Sequence, residues 1–249
     1  MSGHNKWSTI KHKKGKADAE RGKIFTKLIK EITVAARMGG GDIAGNARLR
    51  KAVLEGRANN MPAENIKRAI MKGTGELEGV VYEEYTYEGY GPNGAAVLVD
   101  AMTDNKNRTT GEVRLAFNKC GGKMAVVGSV AYLFRTAGHI TVDKAKVNED
   151  ELMLVALDAG AVDVEAEDDQ WIIETGFEDL WEVREKLEAA GIAIADTKTV
   201  KLPSLTVELG GKDADTMLKL MDMLEDNDDV QHVWSNFDLD DATVQRLNQ

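Results

Sequence analysis

The basic residues at the start of the chain are the side chains whose types and spacing point most directly to chemistry. Lysine attracts phosphate by charge alone, and a tryptophan or histidine between lysines can stack on a base. We call residues 1–16 the basic arm, and its candidate binding residues are Lys6, Trp7, Lys11, His12, Lys13, Lys14 and Lys16. The arm predicts contact with a nucleic acid; the alternative is a disordered lysine tail that only maintains solubility.

The stretch after the arm predicts a helix that runs to residue 38 and sorts its charges by face. Stepping about 100° per residue from Lys23 places the other cations within about 40° of it and the apolar residues on the opposite side. The cations of this face are Lys23, Lys27, Lys30 and Arg37, and the apolar residues are Ile24, Phe25, Leu28, Ile29, Ile32, Ala35 and Ala36. We therefore expect the apolar face to pack against protein and the basic face to meet an external anion.

Two further helices are predicted after the glycine run at 39–41. The second begins after Asn46 and the third after Pro62, and Gly73 and Gly75 end the third. Their inner positions are Leu49, Ala52, Val53 and Gly56 in the second and Ile66, Ala69 and Ile70 in the third, and their outer cations include Arg48, Arg50, Lys67 and Arg68. Residues 17–75 therefore predict a three-helix unit with a basic surface.

The hydrophobic period changes to that of strands from about residue 80. Residues 83–88 and 96–101 alternate as strands, a helix follows Asn107, and residues 129–135 predict a third strand. Residues 139–201 then predict the order β-α-β-β-α-β, which is the split βαβ, ferredoxin-like plan.

A strand, a helix and a strand remain after residue 203, and they supply what the segment 80–138 lacks. The predicted fold class is α+β, with an N-terminal three-helix domain plus two α/β domains, at least one with ferredoxin-like split βαβ topology, one inserted in the other. The predicted domains are 1–79, then 80–138 plus 203–249, and the acidic insert 139–202. Three consecutive domains are the alternative.

A second candidate binding site lies where a predicted strand meets the helix after it. Its residues are Asn105, Lys106, Asn107, Arg108 and Thr109. The amides at a helix N-terminus favour anions, so these side chains could hold a phosphate; simple capping by Asn107 or Thr109 is the alternative. The tyrosines at 82, 85, 87 and 90 could form a stacking platform nearby, although aromatic residues on strands more often pack.

The formal net charge of −10 conceals a strong asymmetry along the chain. Residues 1–80 carry 17 Lys and Arg against 8 Asp and Glu, whereas residues 81–249 carry 15 against 34. One part of the chain thus suits anionic partners, and the rest must avoid them or meet cationic ones.

Enzymatic chemistry is not predicted. The sequence has no G-x-x-x-x-G-K-[ST] phosphate loop, no G-x-S-x-G elbow and no H-E-x-x-H, and its four histidines are not at metal-ligand spacing. The acidic run 225–229 indicates a solvated loop, and Cys120 a buried thiol at a helix end. We expect no catalytic residue, no cofactor, no metal and no small-molecule substrate.

The composition indicates a cytoplasmic protein. A single cysteine excludes an internal disulfide framework and suits a reducing compartment. No apolar run approaches the ~18 residues of a membrane span, and no apolar segment of a secretory signal follows the basic start. We expect no membrane partner.

Several stretches of the sequence resemble the YebC family of probable transcriptional regulators, whose mitochondrial relatives are translational activators. They are GHNKWSTIKHKKGKADAERGKIFTKLIKEITVAAR, GGGD, NARLRKAV, NNMPAENIKRAIMKG, YEGYGPNG and TDNKNRT, and the resemblance covers essentially the whole chain. It implies an all-helical first domain followed by two α/β domains, one inserted in the other. It also implies a cytoplasmic, non-enzymatic protein that binds DNA to regulate transcription.

The resemblance carries over to particular residues as well. The family's basic block falls on Lys6, Trp7, Lys11, His12, Lys13, Lys14, Arg21 and Lys23, and its asparagine-arginine block falls on residues 104–109. Some members of the family act on the ribosome instead, easing the translation of difficult proline-containing stretches.

Three functions are consistent with these observations. The first is regulation of gene expression through DNA, although a basic face positions a protein more than it specifies a sequence. The second is binding to rRNA or the ribosome, favoured by the charge split because a strongly anionic body fits poorly along a duplex. The third is a protein-interaction adaptor whose acidic inserted domain binds a partner.

Overall fold

The structure is a computed structural model that describes residues 17–167 and 169–247, with side chains from residue 22 onward. The arm residues Lys6, Trp7, Lys11, His12, Lys13, Lys14 and Lys16 and the side chain of Arg21 lie outside the described residues. None of the helices in the described part of the chain is long and apolar enough to cross a membrane.

Three helices begin the described chain: α1 (Ala17–Gly39), α2 (Ala47–Ala58) and α3 (Ala63–Thr74). Their shared core contains Leu28, Ile32, Ala35, Ala36, Leu49, Ala52, Val53, Met61, Ile66 and Ala69. Most of these are predicted inner positions, as expected for apolar residues at helical spacing. Ile24 is an exception at 39% exposed, and α1 is also buried at Lys30 on its predicted basic face.

Asn46 fixes the turn between α1 and α2. Its side-chain oxygen caps α2 by accepting a hydrogen bond from the amide of Leu49 at 3.0 Å. Its amide nitrogen donates to the carbonyl oxygens of Ala35 and Gly40, at 2.8 and 2.9 Å. One side chain therefore ends one helix and starts the next.

Gly73 lies in the last turn of α3, one residue before its end, and also has a packing role that was not predicted. A Cβ atom on Gly73 would lie 2.4 Å from the carbonyl oxygen of Thr33 and 2.7 Å from the Cβ of Ala36. Gly73 thus permits close contact between α1 and α3, whereas Gly75, with φ of 83°, ends the helix as predicted.

The remaining elements alternate between strands and helices. In chain order they are β1 (Glu83–Tyr90), β2 (Ala96–Thr103), α4 (Lys106–Lys119), β3 (Lys123–Ala125), β4 (Phe134–Asp143), α5 (Glu149–Ala159), β5 (Asp163–Glu167), β6 (Gln170–Gly176), α6 (Leu180–Ala189), β7 (Ile194–Pro203), β8 (Val207–Leu209), α7 (Gly211–Glu225), β9 (Val230–Ser235), β10 (Phe237–Leu239) and α8 (Asp241–Leu247).

The chain divides into two compact units, residues 133–204 and the residues on either side of them. In the flanking unit, an antiparallel sheet has the order β3-β1-β2-β9, and β8 pairs with β10 in parallel. Helices α4 and α7 cover one face of the four-stranded sheet through a core that includes Val97, Phe117 and Met217. Strand β9 lies after residue 204, so this sheet combines strands from both sides of the unit 133–204.

The second unit has the strand order β5-β6-β4-β7, with every neighbouring pair antiparallel. Its two helices pack on the sheet through Ile140, Leu152, Ile173, Leu187 and their neighbours. This order, with a helix after the first and third strands, is the ferredoxin-like plan.

The predicted fold class is therefore confirmed, while the three predicted domain boundaries stay a proposal. One strand prediction was wrong. Residues 131–133 form a 3-10 turn rather than part of a strand, and the third strand of the flanking unit is β3 at residues 123–125. The sequence after 133 instead begins β4 early, at Phe134.

Candidate nucleic-acid interface

The basic stripe of α1 lies against the protein's own acidic loop, residues 225–229. Lys23 Nζ lies 2.8 Å from Asp226 Oδ1, and Lys27 Nζ donates to the carbonyl oxygen of Glu225 at 3.0 Å. Lys30 Nζ lies 2.5 Å from Asp229 Oδ1. The expectation that this whole stripe faces an external anion is wrong for Lys30, because its side chain is buried in an internal ion pair.

Asp229 is the centre of a buried hydrogen-bond network that joins distant segments. Its Oδ2 accepts from Thr103 Oγ1 at 3.1 Å, from Arg108 Nη2 at 2.7 Å and from Thr109 Oγ1 at 2.6 Å. Burial opposes the ionisation of Asp229, but the hydrogen bonds from Lys30, Thr109 and Arg108 outweigh it and hold the pKa of its carboxyl far below the usual range. The expected solvated loop is thus wrong at Asp229, which is only 4% exposed.

This network contradicts the prediction that residues 105–109 at the start of α4 bind a phosphate together. Thr109 is fully buried, so its hydroxyl cannot meet an external ligand. Arg108 is engaged by Asp104 as well as Asp229. Asn105 caps the helix by accepting from the amide of Arg108 at 3.1 Å, which makes capping the observed role, through Asn105 rather than Asn107 or Thr109.

Lys106 and Asn107, the other two residues of that predicted site, have different surroundings. Lys106 Nζ lies 4.6 Å from the centre of the Tyr85 ring, a cation–π distance, and Asn107 is exposed. Of the four tyrosines proposed as a stacking platform, Tyr87 is buried and Tyr85 packs against the same core. The packing alternative therefore describes these two rings.

Three more predicted cations make contacts inside the protein. Arg48 bridges Glu31 on α1 and Glu84 on β1, at 2.7 Å to each, and hydrogen bonds to these carboxylates raise its pKa. Arg37 donates to the carbonyl oxygen of Tyr82. Arg50 donates to two carbonyl oxygens of the turn before α2.

Helix α3 leaves its predicted cations exposed. Lys67 and Arg68 lie on its outer face together with Lys72, and none of the three pairs with another residue in the described chain. The buried residues of α3, Ile66, Ala69 and Gly73, lie on the opposite side. The helix thus presents three cations and one carboxylate, Glu64, to solvent.

Sequence reasoning missed the roles of Asp229 and Glu88, both of which are buried carboxylates. Glu88 Oε1 accepts from the amide of Gly128 at 2.5 Å, and Oε2 accepts from those of Val130 and Ala131 at 2.6 and 2.9 Å. Local patterns could not reveal either role, because the partners are tens to hundreds of positions away. Within residues 17–167 and 169–247, no group of three or more His, Cys, Asp or Glu side chains could hold a metal ion.

Comparison with known proteins adds independent information. The family model described as the TACO1/YebC protein N-terminal domain matches residues 5–76, and the one described as the TACO1/YebC second and third domain matches residues 82–237. A probable transcriptional regulatory protein of Geobacter sulfurreducens is 57% identical over 247 residues, which is 99% of this chain and 100% of the relative. Another, of Desulfatibacillum aliphaticivorans, is 55% identical over 98% of this chain and 99% of its own length.

A solved structure shares the fold as well. The crystal structure of a conserved hypothetical protein from Aquifex aeolicus superposes with a TM-score of 0.83 at 48% sequence identity, covering 91% of this chain and 93% of that chain. The matches to the two family models span nearly all of the described elements. The chain belongs to the TACO1/YebC family.

Proposed function

We propose that this protein is a non-enzymatic regulator of gene expression that binds DNA through its basic arm and the outer face of α3. The relatives are named probable transcriptional regulatory proteins, which supports a regulator at the level of the family. The observation that carries the DNA-binding proposal is that the cations of α1 and those of α3 differ in whether they are paired within the protein. The cations of α1 are largely engaged by residues 225–229, whereas Lys67, Arg68 and Lys72 on α3 are exposed and unpaired within the described chain.

Electrostatics explains how such a surface would work. Each lysine or arginine that meets a phosphate releases condensed counterions, so a few contacts can dominate the affinity without reading the base sequence. The arm and α3 would then position the protein, and sequence preference would come from other contacts or from the shape of the duplex. In this proposal Lys30, Arg48 and Arg108 act by holding the fold, not by touching the ligand.

Binding to rRNA or the ribosome is the second candidate, and the acidic unit favours it. Residues 133–204 contain 17 Asp and Glu against 7 Lys and Arg. A strongly anionic unit would be repelled by a long duplex but could approach basic ribosomal proteins. Cosedimentation with ribosomes at low salt tests this candidate, and absence from every ribosomal fraction would rule it out.

The DNA proposal is tested by the salt dependence of binding to a promoter fragment. The variants are Lys13→Glu with Lys14→Glu in the arm, Lys67→Gln with Arg68→Gln on α3, and Lys23→Gln as a control whose cation is already paired with Asp226. We expect each α3 cation that is removed to reduce the slope of log K against log salt by about 0.9, and the control to change it little.

Two results would contradict the DNA proposal. Equal binding by the wild type and by the arm and α3 variants would exclude both surfaces. Equal binding to the promoter and to random duplex at physiological salt would exclude sequence-specific regulation through DNA, because phosphate contacts alone do not discriminate between sequences.

A further inference from the structure

We infer that a concave site beside the edge strand β3 binds an unpaired nucleotide of a nucleic-acid strand, with cations on the phosphate and apolar side chains against the base. The inference rests on the proposed nucleic-acid binding and adds a second contact to it. The lining residues of this site belong to β1, α4, β3 and the residue after β3, and not to α3, so variants at this site and variants in the arm or α3 test the two proposals separately.

The site is a cavity of about 510 Å³ at the outer edge of the β3-β1-β2-β9 sheet. Its lining residues are Tyr90, Arg114, Lys123, Met124, Ala125 and Val126. Small-ligand sites are commonly clefts of about 300–1,000 Å³ with mostly apolar walls and a few polar groups, and this one has that composition. The volume of the cavity is large enough for a single nucleotide unit.

The two cations of the site are notable because they have no partner in the described chain. Arginines elsewhere in that part of the chain are mostly engaged, with carboxylates for Arg48, Arg108, Arg135, Arg184 and Arg246 and with backbone carbonyls for Arg37 and Arg50. Arg114 and Lys123 are exposed and lie on opposite elements, α4 and β3. They leave a positive charge on the wall of an otherwise apolar cavity, which favours an anion.

The loop next to the cavity is held in place by hydrogen bonds. The buried Glu88 carboxylate accepts from the amides of Gly128, Val130 and Ala131, and Tyr90 Oη donates to the carbonyl oxygen of Ser129 at 3.0 Å. Tyr90 therefore both lines the cavity and supports the loop. A fixed loop loses little conformational entropy when a ligand binds.

That loop displays two large apolar side chains to solvent. Val126 is 80% exposed and Val127 is 86% exposed. Apolar side chains flanked by cations are used by nucleic-acid-binding proteins as wedges beside bases, and an aromatic ring such as Tyr90 can stack on a base. The three-residue β3 offers little edge for an added peptide strand, so the arrangement favours a nucleotide over a peptide.

The experiment measures the affinity of full-length variants for single-stranded RNA, single-stranded DNA and duplex of one sequence, as a function of salt. Arg114→Gln with Lys123→Gln should reduce the salt slope for single strands by about 1.4 in total. Val126→Ser with Val127→Ser should weaken single-strand binding by about tenfold and leave the slope unchanged, because no charge is removed.

Matched changes separate the roles of the side chains. Tyr90→Leu should weaken single-strand binding by about tenfold, whereas Tyr90→Phe keeps the ring and should bind within about twofold of wild type. Lys212→Gln and Leu205→Ser, at exposed positions outside the site, are the controls and should bind like wild type. Comparing RNA with DNA identifies which strand the site accepts.

Four results would overturn the inference. Site variants that bind single strands like wild type, while the Lys13→Glu with Lys14→Glu variant loses binding, would reject this site and leave the proposed function intact. An equal loss for duplex and single strands would show only a general cationic patch. A wild type that binds no nucleic acid would reject both proposals, and saturation of the site by an acidic, leucine-rich peptide without competition from oligonucleotides would assign it to protein binding.

Discussion

The Nζ atom of Lys30 lies 2.5 Å from Oδ1 of Asp229, and the two side chains are only 8% and 5% exposed. The pair joins α1 to the segment that leads into β9. The other carboxylate oxygen of Asp229 is held by Thr103, Arg108 and Thr109. The N-terminal helix α1 is thus attached to the segment before β9 by a buried charge pair, and the second carboxylate oxygen of that pair accepts three further hydrogen bonds.

Removing the charge of Asp229 should destabilise the protein strongly. Asp229→Asn leaves the Lys30 ammonium buried without a counter-charge, and breaking a buried pair in this way costs about 3–5 kcal/mol. Asp226→Asn, at an exposed pair with Lys23, should cost less than about 1 kcal/mol. Urea unfolding of both variants measures the difference, and equal losses would contradict the role assigned to the buried pair.

Arg108 should affect stability and not nucleic-acid binding. It pairs with Asp229 and Asp104, and its side chain is 43% exposed, so Arg108→Gln should lower the free energy of unfolding by about 1 kcal/mol. The salt slope of DNA binding should stay that of wild type, in contrast to Lys67→Gln. A slope reduced by the loss of Arg108 would show that it does contact phosphate.

His139 should make the stability of the unit 133–204 depend on pH. Burial, followed by the nearby charges of Lys198 and Arg135, lowers the pKa of His139 to about 4. The unfolded chain, with an ordinary histidine pKa of about 6.5, then binds more protons than the folded chain as the pH falls from about 6.5 to 4. The free energy of unfolding should therefore fall over that window, by up to about 3 kcal/mol.

The variant His139→Gln isolates this effect. It has no imidazole at position 139, so the fall between pH 6.5 and 4 should become smaller. His232, whose pKa is also lowered by burial, should account for part of the pH dependence of stability that remains in this variant. Denaturant titrations at several pH values measure the free energy of unfolding of both proteins. If it falls equally with pH in the wild type and the variant, His139 is already protonated or accessible in the folded protein.

Gly73→Ala should destabilise the three-helix region although alanine is the better helix former. Its Cβ would lie 2.4 Å from a backbone oxygen of α1, so the helices must separate, and overpacking of this kind costs about 1–3 kcal/mol. Gly111→Ala, inside α4 with no atom within 4 Å of the added carbon, should instead stabilise the protein by about 0.5–1 kcal/mol. Thermal unfolding of both variants checks the opposite signs.

Glu88 should control the order of the loop at 126–131. Burial opposes its ionisation, but the amides of Val130, Gly128 and Ala131 outweigh this and lower its pKa. Glu88→Gln keeps the shape but removes the charge, which should cost about 1–3 kcal/mol, and hydrogen exchange at those three amides should accelerate. Glu83→Gln, at an exposed strand position, should leave exchange in the loop unchanged.

Much of the local structure could be predicted because it depends on neighbours in sequence. Helix α5 occupies residues 149–159 and β9 residues 230–235, as the apolar spacing and turn residues indicate. The strand order of the unit 133–204 also matches the predicted plan, since short connections leave few ways to pair four strands. The error in the strand predicted at 129–135 has a physical reason. Residues 129–133 lie in a loop held by Glu88 and in a 3-10 turn, and only Phe134 and Arg135 enter a ladder, as the start of β4.

The sequence alone determined the three helices, the ferredoxin-like unit and the concentration of cations in the first 80 residues. The tertiary structure decided which of those cations can meet a ligand. Helical spacing places Lys30 and Lys67 equally well on a basic face, but Lys30 meets Asp229, which is 199 positions away along the chain, and Lys67 stays exposed. A helical wheel shows only which residues share a face of one helix. Whether a charge on that face is buried depends on which other segments of the chain pack against it.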